Sequence, residues 1–256
     1  MLEKQIEQFV MENRLNYVSE EEAIAPEYAG LRMYDPPIWG YGDANDPMFE
    51  ELKKKEAVGE QFLLPDAWLP DAKSVISFFI PFTDEVKKSN WTDAAEPSAQ
   101  WLHARIEGQR FVIAVCDEIQ RILKEEGIIS VIPASDPRFE SVTKPDPERG
   151  EKWQGASYTS NWSERHVAFV CGLGTFGLSK GLITEKGIAG RLGSLIVSER
   201  FEPRKREYTD IYEYCTRCGA CIRRCPAGAI SLENGKAHLP CDQSLEETKQ
   251  KYAPRY

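Results

Sequence analysis

The pattern of apolar and polar positions predicts helices alternating with short strands. Apolar residues at helical spacing over residues 2–13 predict an amphipathic first helix. Short runs of β-branched and aromatic residues predict a buried strand at 74–82 and shorter strands at 128–132 and 195–197. A further helix is expected at 162–171. This order favours an α+β core in which helices cover a central sheet.

The longest predicted helix covers residues 98–126. Ser98 can cap its N-terminus, and Gly127 follows its last turn. Cys116 falls in its apolar stripe and is interpreted as a small core residue. Three further stripe residues are predicted to be buried, namely Ile113, Ile119 and Leu123.

The remaining segments are predicted to be irregular. Residues 21–72 are rich in proline and turn formers, with one short helix near 48–57. Residues 134–155 are interpreted as a polar surface loop. Residues 199–213 are charged and are interpreted as a linker.

Charge and composition narrow the classes of function. The 256 residues include 32 Lys and Arg against 41 Asp and Glu, a net charge of −9. Nucleic acid is therefore an unlikely partner through a general basic surface. No span approaches the ~20 apolar residues of a membrane helix. The polar N-terminus has neither an apolar signal core nor a twin-arginine motif, so we expect a cytoplasmic protein without membrane association.

The cysteines carry the strongest functional signal. Five of the seven follow residue 214, namely Cys215, Cys218, Cys221, Cys225 and Cys241. The first four, followed by Pro226, have the C-x2-C-x2-C-x3-C-P spacing of bacterial ferredoxins. Thiolates select iron–sulfur clusters or zinc, and zinc sites more often use two separated C-x2-C pairs. The run therefore predicts a 4Fe-4S cluster.

The number of clusters stays open. In two-cluster ferredoxins the fourth cysteine of the run ligates the other cluster. Cys215, Cys218 and Cys221 would then hold one cluster, while Cys225 and Cys241 would belong to a second that lacks ligands. One interpretation is a module shortened at its C-terminus relative to a two-cluster parent. The other is a single cluster completed by Cys225 or Cys241.

Three motifs together resemble the epoxyqueuosine reductase and reductive dehalogenase family, and the match is closest to its single-chain 4Fe-4S members. They are SNWSERH at 160–166, the glycine-dense stretch GLGTFGLSKGLITEKGIAGRLGSLI that starts at Gly172, and the ferredoxin run. The resemblance covers roughly residues 70–245. It implies a nitroreductase-like core over residues 1–200 and a ferredoxin-like module over 201–256, with a redox donor protein of the ferredoxin or flavodoxin type.

The same resemblance implies a cobalamin, with its lower ligand detached, between core and clusters. None of the three histidines lies in an Asp-x-His-x-x-Gly pattern, so no protein imidazole would bind the cobalt. Glycines let the backbone approach a flat ring closely. The residues expected to line the ring are Gly172, Gly174, Gly177, Gly190, Arg191, Gly193 and Ser194.

The resemblance also suggests proton donors. Tyr158 falls near the position where epoxyqueuosine reductases place an aspartate, and a tyrosine donor is similar to what dehalogenases use. His166 faces the glycine loop in the sequence and is a second candidate. A Rossmann dinucleotide site is not expected, because a helix rather than a strand precedes G-x-G-x-x-G.

Three functions remain open at this point. The first is a corrinoid-dependent reductase that passes electrons from 4Fe-4S clusters to cobalamin and a small-molecule substrate. The second is a non-catalytic electron-transfer or cobalamin-binding iron–sulfur protein. The third is a flavin-dependent reductase on the same core.

Overall fold

The computed structural model describes residues 1–92, 96–146, 148–153 and 155–252. Residues 253–256, the end of the predicted module, lie outside the described residues. No helix within these ranges has both the length and the apolar character needed to cross a lipid bilayer.

The helices are α1 (Leu2–Glu12), α2 (Pro47–Glu51), α3 (Pro65–Trp68), α4 (Asp84–Ser89), α5 (Ala99–Glu125), α6 (Glu164–Val170), α7 (Ala220–Arg223) and α8 (His238–Tyr252). The strands are β1 (Ile38–Asp43), β2 (Ser74–Pro81), β3 (Ser130–Val131), β4 (Ser141–Val142), β5 (Thr159–Ser160), β6 (Gly174–Phe176), β7 (Leu182–Thr184), β8 (Gly190–Val197), β9 (Ile230–Ser231) and β10 (Gly235–Lys236).

A four-stranded antiparallel sheet forms the centre of the core, in the order β1-β2-β8-β3. β2 and β8 pair over their whole length, from Ser74 opposite Val197 to Pro81 opposite Gly190. Every residue of β2 is buried. The mixed helix and sheet architecture, with helices covering a central sheet, is therefore confirmed.

The two faces of the sheet contribute to two separate apolar cores. Side chains alternate across a strand, so Ile76 and Phe78 point to one face and Val75 and Phe79 to the other. The first pair packs with α1 and α5. The second pair packs with α2, α3 and α6. Burial on both faces explains why β2 is a continuous apolar run rather than an alternating one.

Helix α5 confirms most of its prediction and corrects one part. The Ser98 hydroxyl caps it by accepting a hydrogen bond from the Trp101 amide at 3.1 Å. Ile119 and Leu123 are fully buried, but Ile113 is 43% exposed, so its predicted burial was wrong. At about 100° per residue, Ile113 lies about 200° round the helix from the buried Val115. The buried stripe is centred on that side.

Strand β1 lies in the segment predicted to be irregular. Its glycines were interpreted as turn formers, but Gly40 and Gly42 lie in the strand where it passes the end of α6. A Cβ added to Gly40 would lie 2.6 Å from the Cys171 carbonyl oxygen. These glycines therefore serve a close approach between strand and helix. The neighbouring helix α2 is shorter than predicted and ends at Glu51.

The predicted linker packs on the core. Residues 201–207 form no helix or strand, yet their arginines donate to carbonyl oxygens of the core. Arg204 binds the carbonyl of Trp39 at 2.8 Å, and Arg206 binds that of Val170 at 2.9 Å. Tyr208 is buried, and its hydroxyl donates to the Phe169 carbonyl. This strap, residues 201–208, holds the cysteine-bearing segment against α6.

Two isoleucines of α5 provide a matched test of the packing. Replacing Ile119 with Ala should lower the free energy of unfolding by about 2–5 kcal/mol, because it leaves a cavity in a buried site. Replacing the exposed Ile113 with Ala should change it by less than about 0.5 kcal/mol. Urea unfolding of both variants measures this. Equal destabilisation by the two substitutions would contradict the assigned helix face.

Candidate functional site

The cysteines of the ferredoxin run lie in turns that direct backbone amides toward sulfur. The backbone N–H of Ala220 and the Thr216 hydroxyl lower the pKa of the Cys218 thiol. The Ala229 amide donates to Cys225 Sγ at 3.3 Å. Amides placed in this way stabilise thiolates and tune a bound cluster.

The donor set fits an iron–sulfur cluster. Within the described part of the chain, no three His, Cys, Asp or Glu side chains converge as ligands of one metal ion. The thiol chemistry and the ferredoxin spacing of the cysteines therefore carry the assignment, not a ligand cluster seen in the fold. All five cysteines are free thiols and at least partly accessible, and they are Cys215, Cys218, Cys221, Cys225 and Cys241.

The two remaining cysteines belong to the core. Cys116 is buried in α5, as predicted, and Cys171 is buried after α6. Burial raises the pKa of both thiols. Neither sulfur is available as a thiolate ligand.

The predicted glycine loop is an antiparallel hairpin of β6 and β7. A Cβ added to Gly174 would lie 2.0 Å from the Ile183 carbonyl oxygen, and one on Gly177 would lie 3.1 Å from the Ile183 side chain. Gly172, with φ +84, turns the chain out of α6 beside Arg204. The protein's own packing thus accounts for these glycines without a ligand.

The second predicted lining segment is the first half of β8. Added Cβ atoms at Gly190 and Gly193 would lie within 2.6 Å of the phenyl rings of β2. Arg191 turns to the α5 face, where its Nη2 donates to the Arg105 carbonyl at 2.7 Å. Ser194 turns to the α6 face and accepts a hydrogen bond from Trp162 Nε1 at 2.9 Å. The structure thus separates Arg191 from Ser194, and their corrinoid role stays a prediction.

Tyr158 meets the cysteine-bearing segment. Its ring stacks on that of His238, the first residue of α8, with centroids 4.5 Å apart. Its hydroxyl oxygen is buried near the Asp242 carboxylate. Burial raises its pKa, and the charge of Asp242, a hydrogen bond with the Asp242 carboxylate and the charge of Cys241 raise it further. The phenol is therefore protonated at neutral pH and close to a predicted cluster ligand.

His166 lies on the core side of the glycine hairpin. Its Nδ1 is 2.7 Å from the Ser163 hydroxyl, and its ring centroid lies 4.8 Å from that of Phe176. Burial lowers its pKa to about 4, and the charge of Arg165 contributes. The imidazole is therefore neutral at neutral pH.

Glu164 was not selected from the sequence. Both of its carboxylate oxygens are buried without a hydrogen-bond partner in the described structure. Burial raises its pKa to about 7, and the nearby Ser194 hydroxyl partly opposes the shift. An acidic residue at the start of a helix is usually a partner of the helix dipole. The sequence therefore does not show that this carboxyl is buried.

Comparisons with known proteins identify an iron–sulfur domain and a similar fold. Residues 208–231 match the family model of a 4Fe-4S binding domain. No curated protein sequence matches the chain. A solved epoxyqueuosine reductase with an epoxyqueuosine-modified tRNA-Tyr stem loop is 21% identical, with a TM-score of 0.50, over 83% of this chain and 54% of that chain. A selenomethionine-labelled epoxyqueuosine reductase is 20% identical, with a TM-score of 0.50, over 84% of this chain and 56% of that chain.

A catabolic reductive dehalogenase is also similar, at 14% identity and a TM-score of 0.45, over 76% of this chain and 24% of that chain. The chain spans about half the length of the epoxyqueuosine reductases it matches. The likeness to these epoxyqueuosine reductases shows a shared fold. The resemblance stated from the sequence is confirmed at that level.

Glu164→Gln tests the buried carboxyl. Between pH 4.5 and about 7, Glu164 is protonated in the folded chain and ionised in the unfolded chain. The free energy of unfolding therefore falls as the pH rises through this range, and the contribution of the neutral carboxyl is lost above about pH 7. Relative to wild type, the variant should gain on the order of 3 kcal/mol in unfolding free energy between about pH 5 and about pH 8. Urea unfolding at both pH values measures it.

The exposed Glu20→Gln substitution is the control for Glu164 and should show no such trend. His166, whose pKa is lowered, adds the opposite pH dependence to all three proteins and cancels in the comparison. A stability difference that is independent of pH would contradict the raised pKa of Glu164.

Single Ala substitutions of Cys215, Cys218 and Cys221 should each remove most of the iron and acid-labile sulfide from anaerobically prepared protein. Cys116→Ala should retain both, because that thiol lies in the core. Metal and sulfide analysis measures this. Full retention in the three variants would show that these thiols are not ligands.

Proposed function

We propose that this chain, which has the fold of epoxyqueuosine reductases and carries a 4Fe-4S binding domain, is an iron–sulfur reductase that uses a corrinoid. In this proposal residues 1–200 form a nitroreductase-like core, and residues 201–256 form the cluster module. A donor protein of the ferredoxin or flavodoxin type supplies the electrons. A small molecule is the substrate.

The position of Tyr158 carries the proposal. Its phenol has a raised pKa and a buried hydroxyl near the Asp242 carboxylate, and its ring stacks on α8, where electrons would leave the module. The bound cluster would supply single electrons, and the bound corrinoid a reduced cobalt centre. Tyr158 would hold the proton that the reduced substrate takes up.

Other residues place the module beside the core near Tyr158. Burial lowers the pKa of Arg105 and the charge of Arg191 lowers it further, while the negative charge of the nearby Cys241 sulfur partly opposes the shift. The strap, residues 201–208, fixes the module to α6 through Arg204, Arg206 and Tyr208. A fixed distance between module and core serves electron transfer.

The glycines favour a second candidate, an electron-transfer protein without chemistry of its own. Gly174, Gly190 and Gly193 are explained by contacts within the chain and give no support to a ring-binding surface. The corrinoid therefore depends on the fold likeness and on Tyr158.

One similar structure bears on the substrate. That epoxyqueuosine reductase was solved with a tRNA stem loop, which counts against the expectation that nucleic acid is an unlikely partner. The net charge of −9 still disfavours a general basic surface. Retardation of an epoxyqueuosine-modified stem loop, compared with an unmodified one, distinguishes a tRNA substrate from a small molecule.

Cobalamin titration of cluster-loaded protein decides between the two candidates. We expect a shift of the cobalamin spectrum to its base-off form at tens of micromolar, because no protein imidazole or tail base would bind the cobalt. Flavin mononucleotide is the parallel probe and should not bind. Intact clusters with no cobalamin binding would favour the electron-transfer protein.

A further inference from the structure

Three cationic side chains and one histidine meet where the core contacts the module. Arg165 lies in α6, Lys180 between β6 and β7, Lys236 at the end of β10, and His238 at the start of α8. Lys180 Nζ lies 3.1 Å from His238 Nε2. Arg165 Nη1 donates to the Lys180 carbonyl at 2.7 Å. Three separate segments thus bring positive charge to one place.

These charges repel one another. Burial lowers the pKa of Lys180, and the charges of Lys236 and Arg165 lower it further. The pKa of His238 is lowered by burial and by the charges of Lys180, Lys236 and Arg165. Within the described ranges, no Asp or Glu forms an ion pair with Arg165, Lys180 or Lys236. In a chain with a net charge of −9, these three cations thus have no carboxylate partner among the described residues.

Strained backbone holds two of the contacts in place. Three described residues other than glycine have positive φ, namely Tyr158 at 52°, Lys180 at 58° and Arg217 at 52°. Tyr158 and Lys180 both contact the His238 ring, one by stacking and one through its ammonium. Such conformations are disfavoured by the Cβ atom and persist where the surroundings over-determine them. The chain thus holds both contacts at a conformational cost.

We propose that Arg165, Lys180, Lys236 and His238 form a binding site for a phosphate dianion. Guanidinium and ammonium groups donate charge-assisted hydrogen bonds to phosphate oxygens. A dianion would supply the missing counter-charge and favour the protonated form of His238. The binding site stands without the proposed reductase. The further step, that the phosphate is carried by the substrate of that reductase, rests on the proposed function.

A different role for the same charges is to offset the negative charge of the cluster. The two roles predict different measurements. A phosphate site loses phosphate affinity when Lys180 is removed. A cluster counter-charge instead changes the reduction potential and leaves phosphate affinity unaltered.

Calorimetric titration of cluster-loaded protein with inorganic phosphate, at constant ionic strength and without cobalamin, tests the site. Lys180→Met should weaken binding by about tenfold, the loss of one charge-assisted contact. Lys180→Gly should do the same while tolerating positive φ, so a folding defect is not the cause. The control Lys186→Met, on the same hairpin, should bind like wild type.

A phosphomonoester such as glycerol 3-phosphate distinguishes the sources of the dianion. Tighter binding of the ester than of inorganic phosphate indicates a substrate phosphate, and equal binding indicates the free ion. Either result supports the site if Lys180 is required. No phosphate binding by wild type, or equal affinity in the Lys180 variants with a shifted reduction potential, would overturn it. Neither of these results would affect cobalamin binding.

Discussion

Strand β8 approaches β2 closely because it carries glycines beside two aromatic rings of that strand. An added Cβ would lie 2.6 Å from the Phe79 ring at Gly190 and 2.5 Å from the Phe78 ring at Gly193. Close-packed interiors leave no room for such atoms. This constraint determines how β2 and β8 pair. The pairing in turn places Arg191 on one face of the sheet and Ser194 on the other.

The α6 side of the sheet combines apolar packing with a small polar group. Trp162 and Phe79 belong to one apolar cluster, yet Ser194 and Glu164 lie beside them. Burial raises the pKa of such a carboxyl, because the charged form would lose its water and gain only the Ser194 hydroxyl as a partner. The neutral carboxyl therefore allows α6 to pack closely on the sheet. The hairpin and the strap extend from that helix.

The proposed sites lie where the core meets the cysteine-bearing module. The strap holds the module through arginine contacts to core carbonyls, and the start of α8 lies against Tyr158 and Lys180. The chain as a whole is acidic, while Arg165, Lys180 and Lys236 bring three positive charges to this contact. An anionic cluster or ligand would be favoured there by the same local field.

The sequence by itself determined the features that depend on local spacing. These are the cysteine run, the α5 helix with its Ser98 cap, and the buried strand β2, because ligand spacing and periodicity are properties of neighbouring residues. Tertiary structure alone decided the role of the glycines, the exposure of Ile113, the burial of Glu164, and the meeting of Tyr158, Lys180 and His238. Each of these depends on atoms from distant segments of the chain. A glycine in a turn and a glycine under a phenyl ring look the same in a sequence.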